Sequence, residues 1–185
     1  MSVIELRSKL VVPQPTEQEV AAFKTAMRHL AGAVAVITTG EGEVRTGFTA
    51  TSVASFSMEP PTLIVCLYRA SSTWPVVQNH GGFCVNLLAH DQSHVADRFA
   101  GRGGVKGAGR YEGASWQQQP SGSLGLADAL VSIDCTLDEA IERHSHAILL
   151  GRVNAVTARG DAEPLLYWHG AYRLLSNLDR VLTQA

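Results

Sequence analysis

Two stretches of the chain concentrate hydrogen-bonding side chains in a pattern suited to gripping a ligand rather than cleaving one. From Thr46 to Ser57 the sequence reads TGFTATSVASFS, with hydroxyls at Thr46, Thr49, Thr51, Ser52, Ser55 and Ser57 set among the small residues Gly47, Ala50 and Ala54. A buried hydroxyl without a partner costs about 1–3 kcal/mol, so this stretch makes a poor core strand. Its small side chains let the backbone come close to a flat ligand, and its hydroxyls can donate to phosphate or carbonyl oxygens. A solvated Ser/Thr-rich strand face fits the same spacing equally well. The second stretch is Arg69-Ala70-Ser71-Ser72-Thr73-Trp74. If it opens a helix, backbone N–H groups, hydroxyls and Arg69 could converge on an anion. Simple capping by Ser72 would need no ligand.

Other chemistries find less support. His144 and His146 flank Ser145, and in an extended chain both point to one face. A metal site would need further ligands at suggestive spacing, which are missing, so no metal is expected. Cys66, Cys84 and Cys135 are odd in number and lie in apolar runs without any CxxC pair. They read as buried, reduced thiols. The sequence has no GxGxxG fingerprint, no P-loop and no GxSxG elbow. The residues by themselves lead as far as a protein that binds a phosphate-bearing, flat aromatic ligand.

The elements that must position these groups can be read along the 185 residues. Hydrophobic residues make up 45% and charged residues 17%, enough for a sizeable core. A net charge of −2 lacks the basic excess of a nucleic-acid surface or a polybasic membrane anchor. The apolar runs are too short to span a bilayer, and Met1–Arg7 lacks the pattern of a secretory signal. A soluble cytoplasmic protein is expected. Met1–Pro15 reads as an arm. Thr16 with Glu19 makes a capping box for a helix carrying Val20, Phe23, Met27 and Leu30 and stopped by Gly32. Strands follow over Ala33–Thr39 and Val44–Ala50, joined by the turn Gly40–Glu43, and over Thr62–Tyr68 and Phe83–Leu88. Further strands cover Leu130–Ala140, His146–Ala158 (interrupted by Gly151) and Leu165–Leu174. Short helices are expected over Thr73–Gln78, capped by Ser72, and His90–Ala100, capped by Asp91 or Ser93, with a loop over Gly101–Gly109. The pattern predicts a mainly β fold, a closed antiparallel barrel with a few flanking helices.

Taken in order, AVAVITT, GFTATSVASFSMEPP, TLIVCLYRASSTW, FCVNLL, Arg98-Phe99-Ala100, IDCTL, HSHAILLGRV and PLLYWHGAYRLL resemble the short-chain flavin reductases, the reductase partners of two-component flavin-dependent monooxygenases. The resemblance covers residues 16–175, leaving 1–15 as an N-terminal arm and 176–185 as a C-terminal tail. It implies an FMN-binding split β-barrel, a homodimer with flavin at its interface, and hydride transfer from NADH or NADPH to FMN or FAD for a partner monooxygenase. It places Gly47, Phe48, Thr49, Ala50, Thr51 and Ser52 along the isoalloxazine and ribityl chain, with Ser55 and Ser57 as secondary contacts. It sets Ser71, Ser72 and Thr73 near the flavin phosphate, and Asn86 and Phe99 beside the cofactor. The family's Gly-Asp-His turn reads His144-Ser145-His146 here, so His146 matches the histidine that faces the nicotinamide, while the residues before it differ. A flavin- or haem-binding carrier or sensor without turnover is the competing reading. An oxidase or oxygenase that uses reduced flavin itself is also open.

Overall fold

The computed structural model describes residues 13–160 and 162–175. The arm up to residue 12 and the tail from 176 lie outside the described residues. Two compact units divide at Leu30 and Ala31. The first carries helix α1 (Glu17–Met27). The Thr16 hydroxyl accepts from the Glu19 amide at 3.2 Å, and the Thr16 amide donates to the Glu19 carboxylate at 2.7 Å, which completes the capping box. The Thr16 amide, and the Thr16 hydroxyl donating to the same carboxylate at 2.8 Å, hold the Glu19 carboxyl below its ordinary range. The helix ends at Met27, five residues before the expected stop at Gly32, and none of its residues is buried.

The second unit is built on strands. In chain order they begin with β1 (Gly32–Ala33), β2 (Ala35–Thr39), β3 (Thr46–Ala50), β4 (Val53–Met58) and β5 (Pro61–Tyr68). Helix α2 (Trp74–His80), β6 (Gly82–Leu87) and helix α3 (Ser93–Phe99) follow. Then come β7 (Trp116–Gln118), β8 (Leu124–Leu126), β9 (Val131–Arg143), β10 (His146–Ala158), β11 (Leu166–Trp168) and β12 (Ala171–Arg173). Seven strands form one antiparallel sheet in the order β3-β2-β6-β9-β10-β5-β4. The continuous apolar run AVAVITT has a clear cause, because both faces of the chain there are covered. Ala35 and Ile37 join Leu63, Val65, Leu67, Phe83 and Leu149 in one core, while Val34 and Val36 join Leu88, Val95, Phe99, Tyr111 and Leu165 in another. At Gly151 a Cβ would lie 2.4 Å from the Phe83 ring, so glycine lets β10 pass over that side chain.

The expected closed barrel is corrected to an open one. Strands β3 and β4 are the two edges of the sheet, and no ladder joins them among the described residues. Only Thr51 and Ser52 separate the two strands, so roughly 10 Å of chain joins one edge to the other. The sheet must therefore curl until its edges meet at this corner, yet β3 and β4 diverge to pair with different neighbours. The barrel is split there.

Several local expectations also change. Ser72 does not cap α2; Thr73 is the N-cap and makes no side-chain capping bond, because its hydroxyl donates to the Gly47 carbonyl instead. Neither Asp91 nor Ser93 caps α3. Gln92 precedes it, and its side chain accepts from the Ala89 amide and donates to the Asp128 carbonyl, both at 2.9 Å. Leu165–Leu174 divides into the β11–β12 hairpin, turned at His169 and Gly170 with φ of 52° and 81°. The glycine-rich stretch holds short 3-10 turns at Arg102–Gly104 and Gly107–Tyr111. The β7–β8 hairpin is absent from the sequence reading.

Candidate active site

Strand β5 organises the candidate site, because three of the singled-out segments converge along it. β4 flanks it on one side, with Val53 opposite Val65, and β10 on the other, with His146 opposite Tyr68 and Ile148 opposite Cys66. At the barrel split, the Ser52 hydroxyl lies 3.3 Å from both the amide nitrogen and the carbonyl oxygen of Cys66, and so extends the β4–β5 pairing by a side chain. Thr51 and Ser52 are exposed. Behind them, Thr49 donates to the Ala96 carbonyl at 2.6 Å, which ties β3 to α3. Phe48 and Ala50 pack against the first core. On β4, Ser55 is exposed, and the Ser57 hydroxyl accepts from the Glu59 amide at 3.1 Å. The register shifts between Ser55 and Ser57, leaving Phe56 as a bulge residue.

The chain leaves β5 into the second hydroxyl-rich stretch. The Ser71 amide donates to the Tyr68 carbonyl at 3.1 Å, but the Ser71 hydroxyl is buried and has no hydrogen-bond partner among the described residues. Such an orphan costs free energy unless a ligand satisfies it. Ser72 beside it is exposed, whereas Thr73 is buried, donating to the Gly47 carbonyl at 3.2 Å and lying 3.4 Å from the Thr46 hydroxyl.

Arg69 joins this turn to the histidine turn. Its amide donates to the Ser145 carbonyl at 2.9 Å, its guanidinium donates to the His144 carbonyl at 3.0 Å, and it also pairs with Glu142. His144 has φ of 50°, a left-handed conformation that few non-glycine residues adopt. His146 is exposed; its Nδ1 lies 2.9 Å from the Ser145 hydroxyl and its ring centroid 5.3 Å from that of Tyr68. The sequence assigned no role to Ser145 or Tyr68 at the site. Arg69 was visible there only as one possible anion ligand.

Asn86 and Phe99 are not brought to this surface. Asn86 is 0% exposed: its amide donates to the Val36 carbonyl at 3.0 Å, and its carbonyl accepts from the Leu126 amide at 2.7 Å and the Ser132 hydroxyl at 2.9 Å. Phe99 is 1% exposed and lies against Tyr111 and Trp116. Its ring covers Gly47, where a Cβ would sit 2.3 Å from the Ile37 carbonyl oxygen and 2.7 Å from the ring. The Gly47 carbonyl also accepts from the Arg110 guanidinium, whose pKa burial lowers. Gly47 and Phe99 therefore fix β3 from behind, while Asn86 ties β6 to β2, Leu126 and Ser132.

Of the cysteines, Cys84 and Cys135 are buried, but Cys66 is only half-buried, which corrects the expectation for that residue. Burial and then the Asp134 charge push the Cys135 thiol up to about 12, and the same causes raise Cys84. Neither is a thiolate nucleophile. Among the described residues no three metal-ligating side chains cluster, and no helix is long and apolar enough to cross a membrane.

Residues 27–176 match the family model of the flavin reductase like domain. The chain belongs to this flavin reductase family. It is 43% identical over 165 residues to a protein named FMN reductase (NADH) RutF from Methylorubrum extorquens strain DM4, covering 88% of this chain and 78% of that one. A flavin reductase domain protein from Arthrobacter sp. FB24 superposes with a TM-score of 0.76 at 32% identity, over 86% of this chain and 98% of that one. BorF, the flavin reductase component of a bacterial two-component tryptophan halogenase, gives a TM-score of 0.78 at 27% identity, over 85% and 99%. Within the family frame, the His144-Ser145-His146 turn and its Arg69 clamp sit at the head of β10, beside the split of the barrel.

Proposed function

We propose that this family member is an NADH-dependent flavin reductase that passes hydride from the nicotinamide to FMN or FAD and releases reduced flavin to a partner flavin-dependent monooxygenase. The observation that carries the proposal is the convergence, along β5, of the Thr51-Ser52 corner, the Ser71-Ser72 turn and His146. The name of the RutF relative favours NADH as donor and FMN as acceptor, and BorF supplies the precedent of a reductase serving a second component.

The residues present fit a flavin. Bound there, the flavin would supply the hydride acceptor, so the protein's task is alignment and exclusion of water. The orphaned Ser71 hydroxyl and exposed Ser72 suit phosphate oxygens, and the small, exposed Thr51-Ser52 corner suits close approach of a flat ring system. Gly47, Phe48, Thr49 and Ala50 form the wall behind that corner, and Thr73 braces it through the Gly47 carbonyl. Asn86 and Phe99 act one layer deeper, by packing. Ser55 and Ser57 lie on β4, further along the same strand edge. His146 faces the nicotinamide side and orients the donor.

The proposal includes a homodimer. Strand β4 is an edge of the sheet, with Phe56 62% and Met58 76% exposed, and a second copy would cover both while adding a wall to the flavin groove. The three free cysteines support a reducing, cytoplasmic setting. Purified protein given NADH and FMN should consume NADH over many turnovers, followed by loss of the reduced-nicotinamide absorbance, with FAD and NADPH as parallel arms. A protein that binds flavin and consumes neither nicotinamide would instead be a carrier.

A further inference from the structure

Resting on the assignment of His146 to the nicotinamide side, we infer that Ser145 is a positioning residue for the His146 imidazole, acting from a turn that Arg69 clamps. An exposed histidine at the first position of a strand has little packing to fix its ring, and rotamer freedom lost on ligand binding would weaken that binding. Two contacts restrict it here: the Ser145 hydroxyl 2.9 Å from Nδ1, and the Tyr68 ring centroid at 5.3 Å, tilted by 47°.

Ser145 can orient the ring only because its own backbone is fixed. Arg69 takes the carbonyls of two successive residues, His144 by its guanidinium and Ser145 by its amide, and Glu142 pairs with the same guanidinium. The left-handed His144 then turns the chain so that the Ser145 hydroxyl reaches the neighbouring ring. The charged groups around the imidazole are Arg143, its cross-strand partner on β9, and the Arg69–Glu142 pair.

The chemistry follows from the inventory of the two side chains. A hydroxyl can donate to Nδ1 of a neutral imidazole, which places the remaining proton on Nε2 and directs an N–H donor away from the turn. Such a donor suits the carboxamide carbonyl of a nicotinamide. Serine thus selects the tautomer as well as the ring angle, without adding a charge beside the donor.

The test compares steady-state NADH kinetics at saturating FMN for Ser145→Ala and Ser145→Thr, each in the native and the His146→Ala background. Ser145→Ala is expected to raise KM for NADH roughly three- to tenfold, the size of one lost hydrogen bond, with kcat nearly unchanged. Ser145→Thr retains the hydroxyl and is expected to restore native KM. In the His146→Ala background Ser145→Ala should change nothing, since the ring it acts through is gone. An equal loss in both backgrounds would overturn the positioning role. Nitrogen-15 NMR of the histidine rings supplies a readout without turnover: His146 should be held as the Nε2–H tautomer in the native protein and become mixed in Ser145→Ala. An unchanged tautomer population would also overturn the inference. If His146→Ala leaves NADH kinetics native, the assignment of His146 fails, and the ring spectrum still decides whether Ser145 holds the imidazole.

Discussion

At the residue scale, the side chains named together for this site fall into two groups with separable consequences. Ser52 and His146 are exposed, while Gly47 and Asn86 are sealed in the core. Ser52→Ala should weaken flavin binding by about 1 kcal/mol and also loosen the start of β4, since the lost hydroxyl bonds to Cys66 as well. Fluorescence quenching of added FMN and a thermal melt would separate the two effects. His146→Ala should leave FMN affinity intact and lower kcat/KM for NADH about tenfold. Asn86→Ala should behave in the opposite way. It strands the Leu126 amide in a dry interior at about 1–3 kcal/mol, while the Ser132 hydroxyl keeps its bond to the Leu126 carbonyl, so the melting temperature should fall while the folded fraction keeps native KM for NADH. Gly47→Ala should destabilise by about 1–3 kcal/mol or more, because the new methyl collides with both the Phe99 ring and the Ile37 carbonyl.

At the scale of elements, what was legible depended on whether the cause was local. The capping box of α1 is a four-residue pattern, and it is present as read. The apolar run of β2 and the small hydroxyl residues of the corner announce, respectively, two covered faces and close approach. The caps of α2 and α3 differ from the expected ones because Thr73 commits its side chain to Gly47 and Gln92 commits its own to Ala89 and Asp128, and Gly47 and Asp128 are remote in sequence. Asn86 looks like a polar interruption of a strand, and only the remote Leu126 and Ser132 reveal it as a satisfied structural centre. The β7–β8 hairpin is three residues a side, too short for a periodic signal, and Trp116 anchors it through its indole N–H on the Tyr111 carbonyl at 2.8 Å. The split itself could not be read from periodicity, since it arises where β3 and β4 choose different partners.

At the scale of the whole molecule, the proposed homodimer and the proposed turnover are linked through the β4 edge. Phe56→Glu combined with Met58→Glu puts charge on two exposed apolar positions and should shift the protein to monomer in sedimentation, with FMN affinity falling in step. A monomeric variant with native FMN affinity would show that one chain holds the whole flavin site. Hydride transfer from NADH to flavin by this family member can be followed by anaerobic mixing of the protein with excess FMN and NADH while the oxidised-flavin absorbance is recorded. Multiple equivalents of FMN should bleach per protein chain, at a rate that His146→Ala lowers. FMN that binds to the protein and stays oxidised in the presence of NADH would rule out the reductase activity.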